Sequence, residues 1–197
     1  MVELYDHQKL MISEAKPILE KFNLVYVAAE TRTGKTLSTI FLLKDDYKRI
    51  LVLTKKKAIS SWESDLELAA AKNFKVINYE AIHKLKDFDY DVIVLDESHS
   101  IGSYPKPSKR AEQIKEIALG KRIVYLSATP SAETYSQLFH QFWVSSFSPF
   151  DEVNFYKWYR NYGEDDSIMI QGRMIKQYKA AIEELILPMI NHLIVSI

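Results

Sequence analysis

Short, nearly continuous apolar runs punctuate the first two thirds of the chain at 24–29, 49–54, 91–96 and 122–127, with a weaker one at 76–79. Runs of four to six residues, rich in valine and isoleucine and bounded by polar positions, predict strands buried on both faces of a parallel sheet. The segments between them, 35–46, 58–71 and 108–119, predict helices. In the last of these Ala111, Ile114, Ile117 and Ala118 fall on one helical face. Strand and helix in alternation predict βαβ crossovers with helices on both sides of the sheet.

The last third changes character. Residues 133–162 carry Phe142, Trp143, Phe147, Phe150, Phe155, Tyr156, Trp158 and Tyr159 at roughly helical spacings and contain no strand-like run. Two or three helices packing on the sheet are expected there, the alternative for 139–162 being a partner surface. Residues 168–175 predict a hairpin around Gly172, and 178–191 a final helix that Pro188 kinks or ends. The apolar, strand-like stretch 193–197 suggests a chain cut before its next element. The organisation expected is a single α/β domain over 1–197: a motif-bearing core at 1–132 and a helical extension at 133–197.

Composition removes several alternatives. With 47% hydrophobic and 26% charged residues in 197, the chain is neither disordered nor of low complexity. Without cysteine it has no disulfide framework and no cysteine-based zinc site, which fits an intracellular protein. Lys+Arg and Asp+Glu are both 26, so the net charge is zero and any nucleic-acid contact must come from a local patch. No apolar run approaches the roughly 18–20 residues that span a bilayer, and the N-terminus has no signal-peptide pattern.

Three short motifs carry chemistry. Ala29-Glu30-Thr31-Arg32-Thr33-Gly34-Lys35-Thr36 fits G-x-x-x-x-G-K-[ST] with alanine in place of the first glycine, and it follows a predicted strand and opens a predicted helix. Backbone N–H groups at a helix N-terminus face an anion there, and the helix dipole favours it. Gly34 lets the backbone approach phosphate, Lys35 reaches the β- and γ-phosphates, and the Thr36 hydroxyl ligates Mg²⁺. Asp96-Glu97-Ser98-His99 ends another strand about 60 residues later. Asp96 suits a water-mediated Mg²⁺ contact, and Glu97 suits the general base for an attacking water. Ser127-Ala128-Thr129-Pro130 ends a third strand, where Ser127 and Thr129 can bond His99 and couple nucleotide state to another surface.

In this order and spacing the three motifs resemble motifs I, II and III of superfamily 2 helicases and translocases, and more closely those of the Swi/Snf-type branch. Leu4-Tyr5-Asp6-His7-Gln8 resembles that branch's opening motif, whose glutamine reads the adenine edge. Trp62-Glu63 resembles the motif Ia region, and 76–80, ending in Tyr79-Glu80, resembles motif Ib. Ser108-Lys109-Arg110 resembles the S-K-R stretch that follows the acids. The resemblance implies a RecA-like P-loop fold, with ATP and Mg²⁺ as cofactors. It also implies an ATP-hydrolysing motor that acts on double-stranded DNA together with a second RecA-like domain, in cis or in trans. Ser98 stands where the pattern has alanine, and Arg32 where the loop often has glycine. Nothing after residue 130 resembles motifs IV to VI, which in the family belong to the second domain and include its arginine finger.

The DNA contacts implied are Lys55, Lys56 and Lys57, with Tyr79. Residues 44–57 hold six basic side chains (Lys44, Lys48, Arg49, Lys55, Lys56, Lys57) against two acids, a charge excess that would bring salt dependence. The alternative for such lysines is simple surface solvation. Trp62 is expected to pack rather than stack on a base, and His83, His140 and His192 to be structural or surface residues. A different functional class also fits: a stand-alone nucleotide-binding module that docks on a partner and has no motor activity.

Overall fold

A computed structural model describes residues 3–30, 33–87, 89–129 and 133–196. The chain runs α1 (Asp6–Phe22), β1 (Leu24–Ala28), α2 (Lys35–Leu43), β2 (Ile50–Thr54), α3 (Ile59–Leu68), β3 (Phe74–Asn78), β4 (Val92–Asp96), α4 (Lys109–Ile117), β5 (Arg122–Ser127), α5 (Gln137–Trp143), α6 (Phe155–Tyr162), β6 (Ser167–Ile170), β7 (Arg173–Lys176), α7 (Glu183–Ile190) and β8 (Ile194–Ser196). Short 3₁₀ turns follow β2, β3 and β4.

Six strands form one sheet in the order β3-β2-β4-β5-β1-β8, and every pairing is parallel. Alternate side chains point to opposite faces of a strand, and both faces here are apolar and covered. Leu24, Tyr26, Leu51, Leu53, Ile93, Leu95, Ile123 and Tyr125 share one core with residues of α4, α5, α6 and α7. Val25, Val27, Ile50, Val52, Val92, Val94, Val124 and Leu126 share the other with α1, α2 and α3. This double burial is why the strands read as unbroken apolar runs. Because all strands are parallel, the loops after β1, β2, β4 and β5 emerge along one edge, where open α/β sheets bind ligands.

Several boundaries differ from expectation. Helix α1 was not anticipated, although Met11, Ala15 and Leu19 line one buried face of it. It ends at Asn23, which caps it in the left-handed region at φ 58°. Helices α2, α3 and α4 are shorter than their polar-to-apolar patterns suggest. Helix α7 begins at Glu183 rather than 178, because residues 178–180 are held outside it: the Tyr178 backbone N–H donates to Asp166 Oδ1, and Tyr178 itself has φ 62°. Pro188 lies within α7. The hairpin is present, with β6 and β7 antiparallel and Met169 opposite Met174. Its turn places Gln171 and Gly172 at positive φ, as a two-residue hairpin loop that follows strand twist requires. The strand-like C-terminal run adds a sixth strand, with Val195 beside Val27.

Most of the aromatic segment is core, with Phe147 and Tyr156 exposed. Phe139, Phe142, Phe150, Phe155, Trp158 and Tyr159 are buried against the sheet, with Phe139 and Trp158 rings 5.5 Å apart. Among the described residues no helix is long and apolar enough to cross a membrane.

Candidate nucleotide-binding site

The turn from β1 into α2 is built around one glycine. Gly34 immediately precedes α2 at φ 77° and ψ 26°, a left-handed conformation that residues with a Cβ adopt at a cost. It is also crowded, since a Cβ here would sit 2.1 Å from Gln8 Nε2. Gln8, at the start of α1, is buried. Its Oε1 accepts from the Tyr5 N–H at 2.9 Å and its Nε2 approaches the Gly34 carbonyl at 3.4 Å. His7 Nε2 lies 3.0 Å from the Thr33 carbonyl oxygen. The opening motif and the loop therefore form one unit, with the Gln8 amide already engaged by the loop. Thr31 and Arg32, both expected in the nucleotide loop, lie outside the described residues.

Lys35 opens α2, and its Nζ donates to the Ala29 and Glu30 carbonyls, both at 2.6 Å. Burial lowers its pKa, while the fields of Glu97 and Asp96 act in the opposite direction. That electrostatic coupling joins the two motifs, although β5 lies between β1 and β4 in the sheet. Thr36 follows in the first turn of α2 and is half-buried.

Asp96 is the last residue of β4. Its Oδ2 accepts from Thr54 Oγ1 at 2.5 Å and from Trp62 Nε1 at 3.0 Å, and its backbone carbonyl accepts from the Tyr79 hydroxyl at 2.6 Å. Among the described residues Oδ1 accepts no hydrogen bond. Glu97 then turns out of the strand at φ 54° and ψ 47°, a left-handed backbone that is rare for a residue with a long side chain. Its Oε2 lies 3.3 Å from His99 Nδ1, and the same nitrogen lies 3.0 Å from Ser127 Oγ. Burial lowers the His99 pKa below its usual value, against the opposing field of Glu97. Ser127 is buried and its Oγ accepts from the Thr129 N–H at 3.2 Å. The expected contact between His99 and the third motif is thus present through Ser127. Thr129 takes part through its backbone.

A buried polar network lies beneath the acids. The Tyr26 hydroxyl is 2.8 Å from Ser98 Oγ and donates to Gln141 Oε1 at 2.7 Å, and Ser98 Oγ also donates to Gln141 at 3.3 Å. All three residues are fully or almost fully buried. The hydroxyl that distinguishes Ser98 from alanine is therefore used, and it ties the β4 loop to β1 and to α5.

Two expectations about nucleic-acid contact need correction. Tyr79 is 1% exposed, with its hydroxyl on Asp96 and the Arg110 guanidinium 4.9 Å from its ring centre. It supports the acids from inside and presents no surface to DNA. The six basic residues of 44–57 do not form one patch, because β2 runs between them. Lys44, Lys48 and Arg49 lie at its amino end, where Arg49 pairs with Asp87 and Asp89. Lys55, Lys56 and Lys57 lie at its carboxyl end, on the edge that carries the nucleotide motifs. There they line a groove of about 790 Å³ together with Asn78, Glu80, His83 and Lys84. Glu80 is paired with Arg110 at 2.8 Å, so the groove is strongly positive. Lys84 belongs to it and was missed because it lies some thirty residues from the lysine run.

A solved Sulfolobus solfataricus SWI2/SNF2 ATPase core domain aligns with the whole of this chain at a TM-score of 0.70 and 14% identity. The two share one α/β fold. The chain spans 44% of that structure's length. A protein of Acanthamoeba polyphaga mimivirus named as an ATP-dependent RNA helicase is 27% identical over 86 residues, which is 44% of this chain and 16% of the viral protein. No family model matches the sequence.

Proposed function

We propose that this domain binds Mg²⁺·ATP on the carboxyl edge of its sheet and is the N-terminal half of a DNA helicase or translocase motor. Its partner in hydrolysis is a second RecA-like domain. The observation that carries the reading is the convergence of Lys35, at the N-terminus of α2, with Asp96 and Glu97 at the end of β4, close enough for both acids to act on the lysine. The backbone of the Gly34 turn and the dipole of α2 favour an anion at the same place.

The donor set suits Mg²⁺, which prefers a few hard protein oxygens completed by water and substrate phosphate. Thr36 and Asp96 would hold the ion, and Asp96 keeps one carboxylate oxygen without a hydrogen-bond donor among the described residues. The ion supplies charge neutralisation at the phosphates. Lys35, now bonded to two loop carbonyls, exchanges them for phosphate oxygens. Glu97 takes a proton from the attacking water, with His99 beside it. The His99–Ser127 contact passes the state of the acids to the loop after β5. Lys55, Lys56, Lys57 and Lys84 offer a polyphosphate backbone its contacts in the adjoining groove, and double-stranded DNA is the partner proposed.

Calorimetry of Mg²⁺·ATP binding to the wild type and to Lys35→Ala tests the reading. Binding is expected in the wild type and loss of measurable binding in the variant, with the thermal melt of the apo proteins unchanged. Equal affinities would refute the assignment of the loop.

A further inference from the structure

The carboxylate expected to hold the metal is itself held. Asp96 Oδ2 accepts from two donors, Thr54 Oγ1 at 2.5 Å and Trp62 Nε1 at 3.0 Å. Both donors are buried: Thr54 is 0% exposed and Trp62 1% exposed. Tyr79 fixes the main chain of the same residue through its carbonyl. A carboxylate with two donors on one oxygen cannot rotate freely about its Cβ–Cγ bond, and its other oxygen is left for a ligand outside this network. Donors come from three different elements, β2, α3 and the turn after β3, so their arrival at one residue is a product of the tertiary fold.

Resting on the nucleotide reading above, we propose that Thr54 and Trp62 are positioning residues for Mg²⁺, holding Asp96 Oδ2 so that Oδ1 is presented to the ion. A buried indole with an unpaired N–H is costly, so the Trp62 bond is needed for packing as well as for aim. Partners in the outer shell of a metal ligand commonly change metal affinity by about 10- to 100-fold when removed. The placement of the two donors gives the clamp a further property. Thr54 directly precedes Lys55, and Trp62 lies on the helix that follows Lys57. The segment that lines the basic groove is therefore the one that holds the metal ligand.

The test separates metal positioning from folding and from nucleotide binding. ATP affinity is measured by calorimetry on the full chain, in EDTA and again in excess Mg²⁺, and the ratio gives the gain due to the ion. Thr54→Val keeps the shape of the side chain and removes its donor, Thr54→Ser keeps the donor, and Trp62→Phe keeps a ring and removes the N–H. The expected result is an ATP affinity in EDTA unchanged in all three variants. The Mg²⁺ gain should fall about 10-fold in Thr54→Val and Trp62→Phe, and should be retained in Thr54→Ser. A full gain in Thr54→Val overturns the proposal, as does a gain lost equally in Thr54→Ser, which would trace the effect to packing. Should Trp62→Phe fail to fold, the threonine pair decides alone. A wild type that binds no ATP under either condition would instead refute the nucleotide reading itself.

Discussion

At the scale of single residues the site keeps strain where chemistry is expected. Glu97 holds a left-handed backbone that costs a non-glycine residue on the order of 1–2 kcal/mol. The conformation swings its carboxylate out of the strand direction, beside His99 and within the field of Lys35. Two substitutions separate the roles of its side chain and its backbone. Glu97→Gln should leave ATP affinity as it is and abolish hydrolysis in a complete two-domain motor. Wild-type turnover in that variant would remove Glu97 as the base. Glu97→Gly should relieve the strain and raise the melting temperature of this chain by a few degrees, at roughly 2–4 °C per kcal/mol for a domain of this size. A drop in melting temperature would show that the contact with His99 outweighs the backbone cost. Legibility at this scale was uneven. Lys35, Asp96 and Glu97 stand in short motifs whose spacing a sequence displays directly. The duties of Thr54, Trp62 and Tyr79 depend on which atom each one meets in space. Tyr79, expected at the surface, points inward for that reason.

At the scale of elements, the aromatic extension acts as a brace for the loop after β4. Helix α5 presents two neighbouring polar residues to the stretch that follows Glu97. Gln141 bonds Ser98, and His140 Nδ1 lies 2.6 Å from the Ser103 carbonyl oxygen. A carbonyl can only accept, so that nitrogen carries the proton. Between them, Gly102 passes so close to α5 that a Cβ would meet the Gln137 carbonyl at 2.6 Å. Burial lowers the His140 pKa to about 4. Since this folded value lies below the ordinary unfolded one near 6.5, the unfolded chain binds the extra proton between those pH values. The contribution to stability is therefore full above about pH 6.5 and falls as pH drops toward 4. At about 1.4 kcal/mol per unit, the loss attributable to His140 is on the order of 3 kcal/mol. Urea denaturation at pH 7 and pH 4.5 should show a smaller acid destabilisation in His140→Gln than in the wild type. Equal losses would place the acid sensitivity elsewhere. The four central strands were legible because burial on both faces makes them continuous in sequence. Helix α1 was not, because its first residues read as a motif and only four positions of its seventeen are buried. The start of α7 was not legible either, because residues 178–180 are held by Asp166, a contact between distant positions that no local pattern reports.

At the scale of the whole molecule, what the described residues offer the phosphates is incomplete. Transfer of a phosphoryl group is catalysed chiefly by positioning and by charge neutralisation at the γ-phosphate. In the proposed site Lys35, Thr36, Asp96 and Glu97 would supply one side. An arginine aimed from the other side is worth about 10³–10⁵ in rate, or roughly 4–7 kcal/mol. Among the described residues the arginines are engaged with other side chains or belong to other parts of the fold. Arg49 pairs with Asp87 and Asp89 at the amino end of β2, and Arg110 pairs with Glu80 over the Tyr79 ring. Arg122 begins β5, at the amino end of the sheet beside Tyr47. Arg160 and Arg173 belong to α6 and β7 in the extension. Arg32 belongs to the nucleotide loop by sequence and lies outside the described residues. The chain of 197 residues alone is therefore expected to bind Mg²⁺·ATP and to hydrolyse it far more slowly than a complete motor. Duplex DNA should not accelerate it, because acceleration of that kind closes a second domain over the nucleotide. A phosphate-release assay with and without duplex DNA measures both. Turnover of several per second, raised by DNA and lost in Arg32→Ala, would show that the domain is sufficient by itself and that no second domain is needed.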